Sequence, residues 1–97
     1  MRVRYSSAAE EEFAESALYY LEESPQAAFD FDEMIDDAIS SIAKSPELYP
    51  IYEKDIRVKV VDTFPFSIFY RIKDEEVQIL SIAHQSRKPG YWSERTA

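Results

Sequence analysis

The chain has 97 residues, enough for one small domain with a single hydrophobic core, which we take to span residues 1–97. It contains no cysteine, so it can form neither a disulfide nor a thiolate metal site. It has no apolar run near the ~20 residues that a membrane span requires, and its N-terminus lacks the apolar core of a signal peptide. We therefore expect a cytoplasmic protein. Its net charge of −8 disfavours direct binding of free DNA, which requires clustered cations.

The first residues predict a short strand followed by a helix. Residues 2–5 alternate in polarity and form the strand. Ser7 and Glu10 have the spacing of a capping box, so we expect the first helix to begin at Ser7. Its buried stripe recurs at helical spacing and consists of Ala9, Phe13, Ala17, Tyr20 and Leu21.

A second helix is predicted from Ser24-Pro25 to about Lys44. Serine is a good N-cap, and proline at the first helical position loses no hydrogen bond. The apolar face of this helix comprises Ala28, Phe31, Ile35, Ala38, Ile39 and Ile42. So short a break between two helices predicts an antiparallel hairpin. An irregular link follows, with three side chains expected against the core: Leu48, Tyr49 and Tyr52.

From Ile56 onward the apolar residues alternate with a period of two, which predicts strands. Three strands form an antiparallel meander, and a tight turn at Asp74-Glu75 joins the last two. The predicted fold is therefore α+β: a short N-terminal strand, an antiparallel helical hairpin, a three-stranded antiparallel β-meander and a C-terminal tail.

The predicted register decides which side chains meet. The turn pairs the last two strands as Ile72 with Val77, Arg71 with Gln78 and Ser67 with Ile82. Matching apolar faces pairs the first two as Val60 with Ile68, Arg57 with Arg71 and Lys59 with Phe69. The helix-facing side then holds Val58, Val60, Phe66, Ile68, Tyr70, Ile72, Val77, Ile79 and Ala83. The other side holds Arg57, Lys59, Val61, Ser67, Phe69, Arg71, Gln78, Leu80, Ile82 and His84.

This second face combines cations with apolar side chains, and two interpretations of it stay open. Like charges directly opposite each other destabilise a sheet, and an exposed apolar patch usually marks an interaction site. One interpretation is a groove for an acidic, partly apolar partner, built from Arg57, Lys59, Phe69, Arg71, Leu80 and Ile82. The other is that the cations extend into water while the C-terminal segment covers the apolar residues.

Residues 81–95 contain the chain's one histidine and one glycine, together with three cations and two large aromatic side chains. Arginine, tyrosine and tryptophan are the residues most enriched at interface hot spots. The candidate recognition residues are therefore Arg87, Tyr91, Trp92 and Arg95. The alternative is a tail that packs its tryptophan on the core. With one histidine and no cysteine, we expect neither a metal site nor a cofactor.

Several stretches, in this order and spacing, form a pattern that covers nearly the whole chain. They are Tyr19-Tyr20, Ser24-Pro25-Gln-Ala-Ala, Ile42-Ala-Lys-Ser-Pro46, Arg57-Val-Lys59, Phe64-Pro-Phe-Ser-Ile-Phe-Tyr70, Ile79-Leu-Ser-Ile-Ala-His84 and Arg87-Lys-Pro-Gly-Tyr-Trp92. In these residues the chain resembles the RelE/ParE superfamily of bacterial type II toxin–antitoxin toxins. The resemblance implies the α+β fold described above and a small antitoxin whose C-terminal segment wraps the toxin.

The resemblance also implies one of two modes of toxicity. The RelE-like branch cleaves messenger RNA on the ribosome without a metal, whereas the ParE-like branch poisons DNA gyrase and is not a nuclease. Ser67 and Gln85 stand where the nuclease branch commonly has arginine, which removes charge that RNA cleavage would use. The resemblance is therefore closer to the ParE-like branch.

Three hypotheses follow. The first is a plasmid-stabilisation-type toxin that arrests growth by binding an essential target such as gyrase and is neutralised by its antitoxin, whose carboxylates would meet Arg57, Lys59 and Arg71. The second is a ribosome-dependent endoribonuclease, with catalytic candidates His84, Arg87, Tyr91 and Lys59. The third is a degenerate, non-toxic domain that only binds an antitoxin.

Overall fold

A computed structural model describes residues 1–61 and 63–85 of the chain. Its elements are β1 (Arg2–Tyr5), α1 (Ser7–Glu23), α2 (Pro25–Lys44), β2 (Ile51–Glu53), β3 (Ile56–Val61), β4 (Phe66–Lys73) and β5 (Glu76–His84). Within the described residues the strands form one sheet in the order β1-β5-β4-β3-β2. β1 runs parallel to β5, and the other neighbours are antiparallel. The predicted α+β arrangement of strand, helical hairpin and meander is confirmed.

The N-cap of α1 is Ser6, and the capping box predicted at Ser7 is wrong by one residue. The Ser6 hydroxyl accepts a hydrogen bond from the amide of Ala9 at 3.0 Å and donates one to the carbonyl of Leu80 at 3.0 Å. The Ser6 amide donates to the carbonyl of Ile79 at 2.9 Å. The cap is therefore fixed by β5, a long-range contact that the spacing of Ser7 and Glu10 does not reveal.

The two helices otherwise follow the predicted boundaries. Ser24 caps α2 by accepting from the amide of Ala27 at 3.0 Å, and Pro25 occupies the first turn. On α1 the predicted stripe is buried or half-buried except for Leu21, which is 52% exposed. Phe31 is fully buried at the centre of the hairpin, where its ring lies 5.6 Å from Phe13 and 5.0 Å from Tyr20.

The link after α2 contains β2, a strand that the sequence did not predict. Three residues are too few to show a period of two, and the pairing with β3 is irregular. Tyr49 packs against the core between the helices and the sheet, as expected, but Leu48 is exposed. Tyr52 is also exposed, although its ring lies 5.1 Å from that of Phe69 in edge-to-face geometry.

The turn between β4 and β5 confirms the predicted register at its end of the sheet. Asp74 and Glu75 both have positive φ angles, 55° and 59°, as a two-residue turn of the primed type requires. Ile72 faces Val77 and Arg71 faces Gln78, as predicted. Further along, the register shifts between Phe69 and Tyr70, so Ser67 pairs with Ala83 and not with Ile82.

The predicted register of β3 against β4 is wrong by one residue. Arg57 lies opposite Tyr70 and Lys59 opposite Ile68, so the predicted pairs of Arg57 with Arg71 and Lys59 with Phe69 do not form. The prediction aligned the apolar side chains of one face. Because both faces carry apolar side chains, the apolar pattern does not select one register, and a slip of one residue exchanges the faces.

The sheet accordingly has two apolar clusters. The main core lies between the helices and the sheet, and its strand residues are Phe66, Ile68, Tyr70, Val77, Ile79 and Ile82. A second cluster, here called the outer cluster, consists of Ile56, Phe69, Leu80 and Ala83, with Val58 packed against it. Val58 and Ala83 were predicted on the helix-facing side, and Val61 and Ile82 on the other side. These four assignments are wrong.

Candidate functional site

The cations of β3 lie on the side of the sheet that carries the helices. Arg57 Nη1 donates to the carbonyl of Tyr49 at 2.7 Å and to that of Glu47 at 3.1 Å. Both carbonyls belong to the segment that follows α2. The guanidinium thus ties this segment to the sheet, which gives Arg57 a structural role that the predicted pairing with Arg71 concealed.

Lys59 is similarly turned toward the protein. Its Nζ lies 4.4 Å from the centroid of the Tyr49 ring, a cation–π contact. The cavity beside it, of about 390 Å³, is lined by acidic residues of α2, namely Asp30, Glu33 and Asp37. These carboxylates would repel a phosphate, so they oppose the attraction that the charge of Lys59 exerts on a negatively charged ligand.

Arg71 lies apart from these two cations. Its Nε donates to Gln78 Oε1 at 3.1 Å, and Gln78 Nε2 donates to Glu76 Oε1 at 3.4 Å. The same Glu76 oxygen forms an ion pair with Arg4 at 3.2 Å. Because neighbouring residues on a strand point to opposite faces, Arg71 shares the side of Phe69 and not that of Tyr70. The three predicted cations therefore do not form one patch.

The apolar members of the predicted groove are buried. Phe69 and Leu80 are each 6% exposed and belong to the outer cluster, whereas Ile82 is 2% exposed and belongs to the main core. An exposed groove made jointly of these three side chains is thus not present in the described part of the chain. Their role in binding a partner stays a prediction from the sequence.

His84 ends β5 at the rim of an aromatic cavity of about 440 Å³. Its ring lies edge-to-face with that of Phe66 at 5.3 Å, and the cavity is lined further by Tyr19, Tyr20, Glu15 and Glu23. Burial raises the pKa of Tyr20, with Tyr19 and Glu23 adding to the effect. This neutral phenol and two nearby carboxylates make the cavity more suited to a cationic or aromatic group than to a phosphate.

Gln85, which stands where the nuclease branch commonly has arginine, holds the connection between β3 and β4. Its Nε2 donates to the carbonyls of Val61 at 3.1 Å and Phe66 at 3.2 Å, and its backbone amide donates to Pro65 at 2.7 Å. The remaining candidates from the tail lie outside the described residues: Arg87, Tyr91, Trp92 and Arg95.

Sequence reasoning missed Glu12, a buried carboxylate beside the β4–β5 register shift. The residue is 7% exposed, and its Oε1 accepts from Ser81 Oγ at 2.9 Å and from the amide of Ile82 at 3.2 Å. Its position was a usable signal. Glu12 follows Ala9 by three residues and precedes Phe13, so it lies on the predicted buried stripe of α1.

In residues 1–61 and 63–85, no group of three or more histidine or acidic side chains could hold a metal ion. No helix in that part of the chain is both long enough and apolar enough to cross a membrane.

Comparison with solved structures identifies the class of fold. A structure described as the chromosomal ParDE TA system from P. aeruginosa superposes with a TM-score of 0.76, over 87% of this chain and 95% of that chain. The two sequences are 20% identical, so this likeness shows a shared fold. No curated protein matches the sequence significantly.

The sequence itself identifies the family. The family model for the ParE toxin of the type II toxin–antitoxin system, parDE, matches residues 3–89. Because this match covers most of the 97 residues, the chain belongs to the ParE toxin family. It is thus the toxin component of a type II toxin–antitoxin system, as the sequence motifs had indicated.

Proposed function

We propose that this toxin arrests growth by binding an essential target such as DNA gyrase, and that a cognate antitoxin neutralises it. The observation that carries the proposal is the match of the ParE toxin family over residues 3–89. A cytoplasmic location belongs to the same proposal, since gyrase and the antitoxin would be met there.

The contacts of the described residues support binding over RNA cleavage. A metal-independent ribonuclease needs cations free to stabilise the charge of the transition state. Arg57 instead holds two backbone carbonyls, and Lys59 lies over the Tyr49 ring beside the acidic face of α2. His84 adjoins a cavity with Glu15 and Glu23 in its lining, which would oppose a phosphate.

For the antitoxin we propose contacts with Arg57, Lys59 and Arg71. All three side chains remain half-buried, so each keeps surface that a partner's carboxylate can reach. For the target, the proposed residues are those of the tail, Arg87, Tyr91, Trp92 and Arg95, on the strength of their residue types alone.

The first test is tightly controlled induction in a heterologous bacterium, with DNA and protein synthesis followed separately by radiolabel incorporation. We expect DNA synthesis to fall first, with an SOS response, and the purified protein to inhibit supercoiling by gyrase. Early loss of protein synthesis with codon-phased cuts in translated message would support the ribosomal nuclease instead. Growth without arrest would support the third hypothesis, a non-toxic domain that only binds an antitoxin.

The His84→Ala variant distinguishes a toxin that acts by binding from a ribosomal nuclease in one experiment. A toxin that acts by binding through its tail should keep its toxicity, because the side chain is exposed at the end of β5. A nuclease that uses His84 for proton transfer should lose it. The thermal midpoint of the variant, measured in parallel, shows whether any loss reflects unfolding.

The antitoxin contacts are tested with purified complexes. Arg71→Gln should weaken binding of the cognate antitoxin, because a charged contact is lost. Arg2→Gln, which removes an exposed cation from β1, is the matched control and should leave binding unchanged. Equal affinities of the two variants would show that Arg71 is not part of the antitoxin interface.

A further inference from the structure

The aromatic cavity at the end of β5 contains a large side chain that the main core does not use. Tyr20 and Phe66 take part in the packing of the main core, whereas Tyr19 is 59% exposed although it lines the cavity. The Tyr19 ring lies edge-to-face against that of Tyr20, with the centroids 5.2 Å apart. An exposed tyrosine at a cavity is typical of a binding residue, because it offers a large contact area and loses little conformational entropy on binding.

Four rings follow one another around this cavity, and each is turned against the next. Successive centroids lie 5.2 Å apart from Tyr19 to Tyr20, 6.4 Å from Tyr20 to Phe66 and 5.3 Å from Phe66 to His84. The interplanar angles are 83°, 59° and 79°, so the rings form a curved wall and not a flat stack. The faces of aromatic rings carry partial negative charge, and a cation within about 6 Å of a ring centroid is attracted to it. A wall of this kind therefore favours a cationic group.

Two carboxylates stand on either side of Tyr19. Glu15, Tyr19 and Glu23 follow one another at intervals of four residues on α1, so they share one face of the helix, about 6 Å apart along its axis. All three line the cavity, and a cation over the Tyr19 ring would have a carboxylate one turn away in each direction. Among the described residues of the lining there is neither lysine nor arginine to neutralise this charge.

The chemistry of the cavity identifies the cation as a guanidinium. A guanidinium is planar, so it can stack on an aromatic ring while its N–H groups donate to carboxylates at its edge. An ammonium is a compact, strongly hydrated charge and combines these two contacts less well. The cavity, at about 440 Å³, has the size of a binding pocket, for which the usual range is about 300–1,000 Å³.

The position of the cavity favours an occupant from a second, different protein. Tyr19 and His84 are exposed, so the cavity is open at its rim and the backbone that carries an arginine can remain outside it. A second copy of this chain would bring its own net charge of −8 against the acidic face of α1. An anionic lipid surface would be repelled for the same reason.

We propose that the aromatic cavity binds an arginine side chain of a partner protein, with the guanidinium between the rings and the carboxylates of Glu15 and Glu23. This surface includes none of the sheet cations proposed to contact the antitoxin and none of the tail residues proposed to contact the target. The proposal therefore does not depend on the proposed function.

The test uses the full-length protein, isotopically labelled, and two peptides of glycine and serine that differ in one central residue. The first peptide has arginine at its centre, and the second has citrulline, which has the same shape without the charge. Binding is followed by titration in NMR spectra, which detect weak association and locate it. We expect the arginine peptide to shift the amide signals of Tyr19, Tyr20 and His84, and the citrulline peptide to shift none of them.

The role of the ring is tested with Tyr19→Leu, because leucine keeps an apolar surface and removes the aromatic face. Phe29→Leu, at a residue of α2 that is 60% exposed outside the cavity, is the matched control. We expect Tyr19→Leu to weaken binding of the arginine peptide at least about threefold, and Phe29→Leu to leave its affinity unchanged.

The carboxylates are tested with double variants of equal net charge. Glu15→Gln with Glu23→Gln neutralises the two cavity residues, and Glu11→Gln with Glu22→Gln neutralises two exposed carboxylates of α1 outside the lining. We expect the first pair to weaken binding at least about fivefold, and the second to change it by less than about twofold. This comparison separates the cavity from general attraction to an acidic protein.

Four outcomes would overturn the proposal. They are absence of binding by the arginine peptide, equal binding of the citrulline peptide, an unchanged affinity in Tyr19→Leu, and equal effects of the two double variants. Tighter binding of spermidine than of the arginine peptide would assign the cavity to a free polyamine and refute the partner side chain. Peptide binding that appears only in Arg87→Gln would assign it to the chain's own tail. Self-association that Tyr19→Leu abolishes, measured by analytical ultracentrifugation, would assign it to a second copy of the chain.

Discussion

The buried carboxylate of Glu12 gives the sharpest test of how the helices are held on the sheet. Its Oε1 accepts hydrogen bonds from the Ser81 hydroxyl at 2.9 Å and the Ile82 amide at 3.2 Å. Both donors lie in β5, close to the shift in its register with β4. Glu12→Ala removes the acceptor, so the buried Ile82 amide and the buried Ser81 hydroxyl each lose a hydrogen bond.

The magnitude follows from the two bonds. A hydrogen bond contributes about 0.5–1.5 kcal/mol net, and a buried donor that loses its partner adds a desolvation cost of about 1–3 kcal/mol. We therefore expect Glu12→Ala to lower the free energy of unfolding by about 3 kcal/mol or more. For a domain of this size that corresponds to a fall of roughly 12 °C or more in the thermal midpoint.

Two companion variants make this measurement specific. Glu12→Gln retains an acceptor oxygen of the same shape, so it should cost less than Glu12→Ala. Glu11→Ala removes a neighbouring exposed carboxylate and should stay within about 0.5 kcal/mol of the wild type. Urea denaturation followed by circular dichroism measures all three. If Glu12→Ala unfolds within about 1 kcal/mol of Glu11→Ala, Glu12 is not an anchor of the fold.

Three further predictions concern local structure. Ser6→Ala should lower the free energy of unfolding by about 1–2 kcal/mol because it removes the N-cap of α1, whereas Ser7→Ala should leave it nearly unchanged. A larger loss for Ser7→Ala in urea denaturation would show that Ser7, as predicted from the sequence, is the N-cap. Burial raises the pKa of Tyr70. The neutral phenol therefore contributes to stability below about pH 10, the ordinary pKa of tyrosine. This contribution to stability is lost as the pH rises through the pKa of the folded state. Tyr70→Phe deletes the hydrogen bond that the Tyr70 hydroxyl donates to the carbonyl of Pro46 at 2.6 Å, so it should cost about 1 kcal/mol or more at neutral pH. It should also reduce the loss of stability in alkali, which stability curves from pH 8 to 12 would check. Glu75→Gly should raise stability by about 1 kcal/mol, since Glu75 has a φ of 59°, and an unchanged denaturation midpoint would argue against strain in this turn.

Local sequence patterns determined the helical hairpin and the β4–β5 turn. The Ser24-Pro25 start and the apolar face of α2 act within one helix, so their effect does not depend on the rest of the chain. The turn at Asp74-Glu75 fixes its neighbouring pairs because only two residues separate the strands. The order of motifs along the chain also indicated the family, which the match over residues 3–89 establishes.

The candidate site was less accessible from the sequence, because it depended on pairing between distant strands. Arg57 and Lys59 were predicted on one face with Arg71, but a change of one residue in register places them beside Tyr49 and the acidic residues of α2. Alternating polarity fixes a register only where one face of a sheet is apolar, and here the outer cluster makes both faces apolar.

Tertiary structure alone decided how charged and polar groups are satisfied. Glu12 on α1 meets Ser81, 69 residues later in the chain, and Ser6 meets the carbonyl of Leu80 across 74 residues. Local spacing places Glu12 on the buried stripe of α1, but it does not reveal the partners of Glu12 or Ser6, because those partners lie far away in the sequence. Within the described residues, the sequence by itself determined the two helices and the strands other than β2. Long-range packing determined which polar side chains hold the fold and which remain available to a partner.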